Sequence, residues 1–152
     1  MCFYITKESK VLVAKRDIKV YKIGTYADND SFNPFYYDNF TYSVNQTVFE
    51  NVEFTNMIEK GLHSYIMCKL APFATDMDLY SCGTFLYPLS VLAYAIYLGE
   101  FIIPKGTTYC LNNKGEVVSN GLIYTGNHIV IESGKHYDSK KLWKKSRWNI
   151  YL

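Results

Sequence analysis

Three short stretches carry side chains able to do chemistry. Val20-Tyr21-Lys22 ends an alternating apolar segment, Gly61-Leu62-His63-Ser64-Tyr65 sits mid-chain, and Glu100-Phe101-Ile102-Ile103-Pro104-Lys105-Gly106-Thr107-Thr108-Tyr109 follows an uncharged run. Together they supply amines, an imidazole, hydroxyls and a carboxylate, the groups that hold anions or stabilise developing charge. Motifs for commoner chemistry are absent. The sequence has no phosphate-cradling glycine loop, no H-E-x-x-H and no G-x-S-x-G. His63, His128 and His136 are isolated, and Cys2, Cys68, Cys82 and Cys110 form no C-x-x-C pair, so no metal site is expected. Reduced thiols in a cytoplasmic protein are the default reading.

Strands must position these groups. Asp17–Gly24 alternates cleanly, with Ile18, Val20 and Lys22 on one face and Lys19, Tyr21 and Ile23 on the other. Cys2–Thr6, Val11–Ala14, Leu62–Lys69, Phe101–Ile103 and Thr107–Leu111 read as strands. Asn112–Gly115 is a hairpin turn leading to Glu116–Ser119 and Leu122–Thr125; Gly126-Asn127 turns again into His128–Glu132. Residues 28–47 read as a long polar loop with a turn at Asn33-Pro34 and a strand near Phe40–Val44. Helical turns are expected at Asn56–Lys60 and Asp76–Cys82, helix or strand at Ser90–Tyr97, and a helix over Tyr137–Leu152. The expected fold class is α+β, a compact β-rich single domain over residues 1–152.

Composition bounds the function. Of 152 residues, 49% are hydrophobic and 20% charged, which excludes a disordered chain. Fifteen Tyr and nine Phe suit strands and adhesive surfaces. The net charge of +2 conceals an asymmetry, because residues 135–152 hold six Lys/Arg against one Asp. The body is therefore no general nucleic-acid binder. The basic tail interleaves Trp143 and Trp148, and reads either as a nucleic-acid or membrane contact or as a docked terminal helix; the second is preferred. Phe85–Leu98 is uncharged but too short to span a bilayer and holds Pro88, so no membrane partner is expected. The N-terminus lacks the basic and apolar regions of a signal peptide.

In order, the three stretches resemble the signatures of ADP-ribosyltransferases of the Arg-Ser-Glu type: a strand ending in Arg, a strand carrying Ser, and a Glu followed by three apolar residues, Pro and a turn. The resemblance implies a degenerate ADP-ribosyltransferase-like fold, NAD as cofactor if the protein is an enzyme, and Lys22, Ser64 and Glu100 in the catalytic places. Lys22 replaces the Arg and cannot form its bidentate phosphate fork. Leu98 stands where an acceptor-binding Gln or Glu is usual.

A second resemblance covers roughly residues 1–24, 58–66 and 100–125. Met-Cys-Phe-Tyr-Ile, Ala14–Lys22, Gly-Leu-His-Ser-Tyr, Ile-Pro-Lys-Gly-Thr and Gly115–Ser119 look like small proteins of bacteriophages and prophages of gut bacteria. The two resemblances together imply a phage-type protein in the bacterial host cytosol. It would sequester a nucleotide-derived immune signal, ADP-ribose or a cyclic nucleotide, without turnover and without a cofactor. The implied ligand-binding residues are Lys22, Tyr36, Tyr37, His63, Ser64, Tyr65 and Lys105, supplying aromatic faces for a base and cations and hydroxyls for phosphate and ribose. The alternatives are an active mono-ADP-ribosyltransferase and an inhibitor that binds a host protein. A monomer or homodimer with no specific nucleic-acid partner is expected. The ordinary reading of the same residues is structural: Tyr side chains packed on strands, His63 in a satisfied core position, Glu100 on a surface strand and Lys105 in a turn.

Overall fold

The computed structural model describes residues 3–5, 9–34, 40–55, 57–58, 61–66, 68–72, 78–82, 85–88, 97–113, 115–131 and 137–143. Along the chain run β1 (Phe3–Tyr4), β2 (Lys10–Val13), β3 (Ile18–Ala27), β4 (Ser31–Pro34), β5 (Tyr42–Ser43), β6 (Thr47–Phe49), β7 (Met57–Ile58) and β8 (Leu62–Tyr65). They are followed by β9 (Cys68–Pro72), β10 (Asp78–Cys82), β11 (Phe85–Pro88), β12 (Tyr97–Ile103), β13 (Thr108–Leu111), β14 (Glu116–Ser119), β15 (Gly121–Val130), β16 (Tyr137–Asp138) and one helical turn, α1 (Ser139–Leu142).

One antiparallel sheet dominates, in the order β2-β13-β14-β8-β3-β12-β15-β6, with β4 paired to β3 and β5. A smaller sheet runs β11-β10-β9-β16, and β1 pairs with β7. The alternation of Asp17–Gly24 produces β3, the strand to which β8, β12 and β4 all pair. Six of the seven residues of β12 are buried, so this central strand is covered on both faces.

Register fixes what each face carries. On one face Val20, Phe101, Tyr124, Leu122, Leu62 and Val117 join Phe32 and Tyr42 in the main core. Phe32 meets Phe101 edge-on at 5.0 Å, and Tyr42 meets Phe101 in the same way at 5.0 Å, the preferred aromatic geometry. We call this the aromatic face. Gly99 is needed here, because a Cβ on it would stand 2.6 Å from the Phe32 ring. The opposite face carries Tyr21, Glu100, Ile102, Val118 and Cys110. Val118 and Cys110 pack there with Val52 and Ile58. Cys110 is a free, buried thiol, and burial pushes its pKa up.

The α+β expectation is corrected, since the described residues are strands with a single helical turn. Short apolar runs found strand partners instead of closing helical turns: Met57–Ile58 pairs with Phe3–Tyr4, and Asp78–Cys82 pairs with β9 and β11. Tyr137–Asp138 extends β9's sheet before the helical turn, and residues 144–152 of the expected terminal helix lie outside the described residues. Leu62–Lys69 splits at Ile66 into strands of two different sheets. Residues 28–47 are a loop only in part, since β4 and β5 form within them; Asn33-Pro34 ends β4, and residues 35–39 that follow it lie outside the described residues. Gly126-Asn127 is a bulge within the continuous β15, not a turn between strands. The fold is also not that of an ADP-ribosyltransferase, as the placement of its three signature residues makes plain.

Candidate functional site

Lys22 leaves β3 on the aromatic face. Its cross-strand partner on β12 is Gly99, and on β8 its neighbour is Ser64, since Tyr21 pairs with Tyr65. Lys22 and Ser64 therefore do share a face, as the sequence suggested. Both are buried. The Lys22 ammonium donates to the His63 carbonyl oxygen and lies 5.6 Å from the centre of the Tyr42 ring. Burial drives its pKa down to about 7. Ser64 Oγ finds no hydrogen-bond partner among the described residues.

Glu100 leaves β12 on the other side. It opposes Tyr21 in the register, so its side chain, like those of Tyr65 and His63, projects from the face that Lys22 and Ser64 do not use. There Glu100 is fully buried. Its Oε2 lies 3.4 Å from Lys19 Nζ, and its Oε1 accepts from Asn127 Nδ2 at 3.0 Å. The bulge against β15 brings Thr125 close enough for its hydroxyl to donate to the Glu100 carbonyl at 3.1 Å. Tyr21 packs beside this group. Its phenol is pushed up to about 12 by burial and then by the charges of Glu100 and Asp138, while a hydrogen bond with Ser139 pulls the other way. The chain's C-terminal part closes the cluster: Trp143 stacks on Tyr21 at 6.0 Å, and its carbonyl accepts from Lys19 Nζ at 3.2 Å.

The presumed catalytic set is thus divided by the thickness of the sheet. Lys22 and Ser64 stand on one side and Glu100 on the other, so the residues present do not fit NAD in the manner the transferase resemblance implies. His63 also faces away from Ser64, as adjacent strand residues must. Lys105 is exposed in the turn after β12, where its backbone N–H donates to Asp17 Oδ1 at 2.9 Å. Tyr36 and Tyr37 lie outside the described residues. No group of three His, Cys, Asp or Glu among the described residues could hold a metal. None of the described helices is long and apolar enough to cross a membrane.

A different place gathers binding groups. Between β2, the turn at Lys15-Arg16-Asp17 and the start of β3 lies an open groove of about 580 Å³. Leu12, Val13, Ile18 and Tyr109 supply its apolar wall, and Lys15 and Arg16 outnumber Asp17 on its polar side, the Lys19 ammonium being turned to Glu100. Asp17 joins the groove to the Lys105 turn. Sequence reading passed over these residues because Lys15-Arg16-Asp17 looks like an ordinary charged turn. The available signal was a basic pair directly after an apolar strand with an aromatic, Tyr109, on the strand that pairs with it. No known family model, curated protein or solved structure matches the chain.

Proposed function

We propose that the protein is a non-catalytic binding protein that sequesters an anionic, nucleotide-derived ligand of the ADP-ribose or cyclic-nucleotide class. The groove beside Lys15-Arg16-Asp17, rather than the buried Lys22–Ser64 position, is its binding site. The observation that carries this reading is the placement of Lys15 and Arg16 with Tyr109 around one groove. Guanidinium and ammonium groups suit phosphate, an aromatic face suits a base, and the volume falls in the range of small-molecule sites. Burial of Glu100 with Lys19 supports binding over turnover, because a carboxylate sealed in an ion pair cannot reach a reacting ribose. The likeness to phage proteins supports a place in the bacterial host cytosol and a role in removing an immune messenger.

Calorimetric titration with ADP-ribose and with a cyclic dinucleotide tests the reading. One of them is expected to bind and to be recovered chemically unchanged. Arg16→Ala is expected to weaken it about 10-fold or more, the scale of a charged hydrogen bond. Lys22→Met, at a buried position that does not line the groove, is expected to leave affinity unchanged. Absence of binding by both compounds, equal affinity in Arg16→Ala, or transfer of label from NAD would overturn it.

A further inference from the structure

The two lateral edges of the main sheet differ in charge and match in shape. At one end β2 pairs only with β13 among the described residues, and all four of its residues are exposed, with Val11, Leu12 and Val13 at 48%, 42% and 59%. At the other end β6 pairs only with β15 among the described residues, and Phe49 is 74% exposed. An apolar strand edge of this kind is a template for further pairing. Lys10 stands in β2, and Lys15 and Arg16 follow it. Glu50 follows β6 directly, with Glu53 beyond.

Ala14 N–H donates to the Thr107 carbonyl, so Leu12 and Lys10 also turn their backbone groups inward to β13, leaving those of Val11 and Val13 pointing outward. Glu50 N–H donates to the Asn120 carbonyl, so Val48 turns inward and Thr47 and Phe49 point outward. Val11 lies opposite Cys110, on the face away from the aromatic core. Phe49 shares that face, because its neighbour Val48 opposes Leu122 of the aromatic core.

We propose that the β2 edge of one molecule accepts the β6 edge of a second copy, antiparallel, with Val11 opposite Phe49 and Val13 opposite Thr47. This register joins outward-pointing backbone groups on both strands and continues each sheet face into the same face of the neighbour. It also sets Lys10 opposite Glu50, an opposite-charge cross-strand pair, and Leu12 opposite Val48. A two-fold β2–β2 pairing would instead bring the basic flanks of two identical edges together. The association is therefore head-to-tail, with unlike edges meeting. Short strands make it weak, on the scale of transient contacts.

Sedimentation velocity over a hundredfold concentration series tests the proposal. The weight-average sedimentation coefficient is expected to rise with concentration and to fall back when salt is added. Lys10→Glu and Glu50→Lys, both at the surface and outside the groove, are each expected to remain monomeric while keeping a native circular dichroism spectrum. An equimolar mixture of the two is expected to associate again, because each then offers the charge the other lacks. A concentration-independent coefficient for the unmodified protein, or association of either variant alone, would overturn the proposal. So would a mixture that stays monomeric. Ligand titration of the same two variants separates this outcome from that of the groove, since neither residue lines it.

Discussion

Lys19 and Lys22 stand three positions apart on β3 and enter opposite sides of the sheet. Lys19 meets a buried carboxylate, Glu100, and a main-chain carbonyl of Trp143. Lys22 meets a main-chain carbonyl and the face of Tyr42, and no carboxylate among the described residues forms an ion pair with it. The first arrangement sets an ammonium 3.4 Å from a carboxylate oxygen. The second holds an amine whose burial is answered by dipoles alone, and its pKa sinks to about 7. A carbonyl and a ring thus leave the cost of burying the Lys22 ammonium largely unanswered.

The largest effect is expected at Glu100. Glu100→Gln leaves Lys19 without its counter-charge and is expected to lower the unfolding free energy by about 3–5 kcal/mol, read by urea titration. The double variant Lys19→Met, Glu100→Leu is expected to recover most of that loss, since apolar pairs replace buried ion pairs well. A single-variant loss below about 1 kcal/mol would place the pair with ordinary surface bridges and erase the contrast.

Lys22→Met comes next, with the opposite sign. It is expected to stabilise the protein by about 1–3 kcal/mol at pH 6, part of the gain being lost because the His63 carbonyl forfeits its donor. The pH dependence follows from the lowered pKa. Below about pH 7 both folded and unfolded chains hold the Lys22 proton, and the cost of burying it is borne in full. Between about 7 and 10.5 only the unfolded chain holds it, so stability rises with pH, by up to about 1.4 kcal/mol per pH unit. Tyr21 acts in the other direction, because its raised pKa lets the unfolded chain ionise first as pH climbs from 10 towards about 12. Maximum stability is therefore expected on the alkaline side of neutrality. A pH profile of unfolding free energy that keeps its rise in Lys22→Met would assign the slope to another group.

Trp143→Ala probes the cover of the Glu100 side and carries the smallest effect. Loss of the stack on Tyr21 is expected to cost about 1 kcal/mol. Faster amide exchange is expected around Tyr21 and Ser139, with the aromatic face protected as before. Equal loss of protection on both faces would show the two sides to be one cooperative unit.

The alternation that makes β3 was plain in the sequence, and so was the division of its side chains between two faces. Phe101–Ile103 announced a buried strand, and Asn112–Gly115 a hairpin turn, because apolar runs and turn residues are local signals. What the sequence withheld was register. Whether Glu100 falls on the side of Lys22 or of Tyr21 depends on how β12 slides along β3, and a shift of one residue exchanges the faces. His63 was the avoidable error: residues adjacent on a strand project oppositely, so His63 and Ser64 could not serve one pocket. Short stretches such as Met57–Ile58 were ambiguous for another reason, since only a distant partner decides between turn and strand. The groove escaped notice because its cations come from a turn and its aromatic wall from a strand far along the chain.

The position of β3 also sets a schedule. It is made well before the strand that completes most of its ladder, β12, and Ile103 must emerge before it can pair with Ile18. At ordinary elongation rates that interval is on the order of ten seconds. Throughout it the growing chain displays an alternating apolar strand whose β12 edge is still open. Closing so long a loop places the molecule among slow folders. The pace of translation, and holding chaperones on the nascent chain, thereby become determinants of yield that no property of the finished fold records.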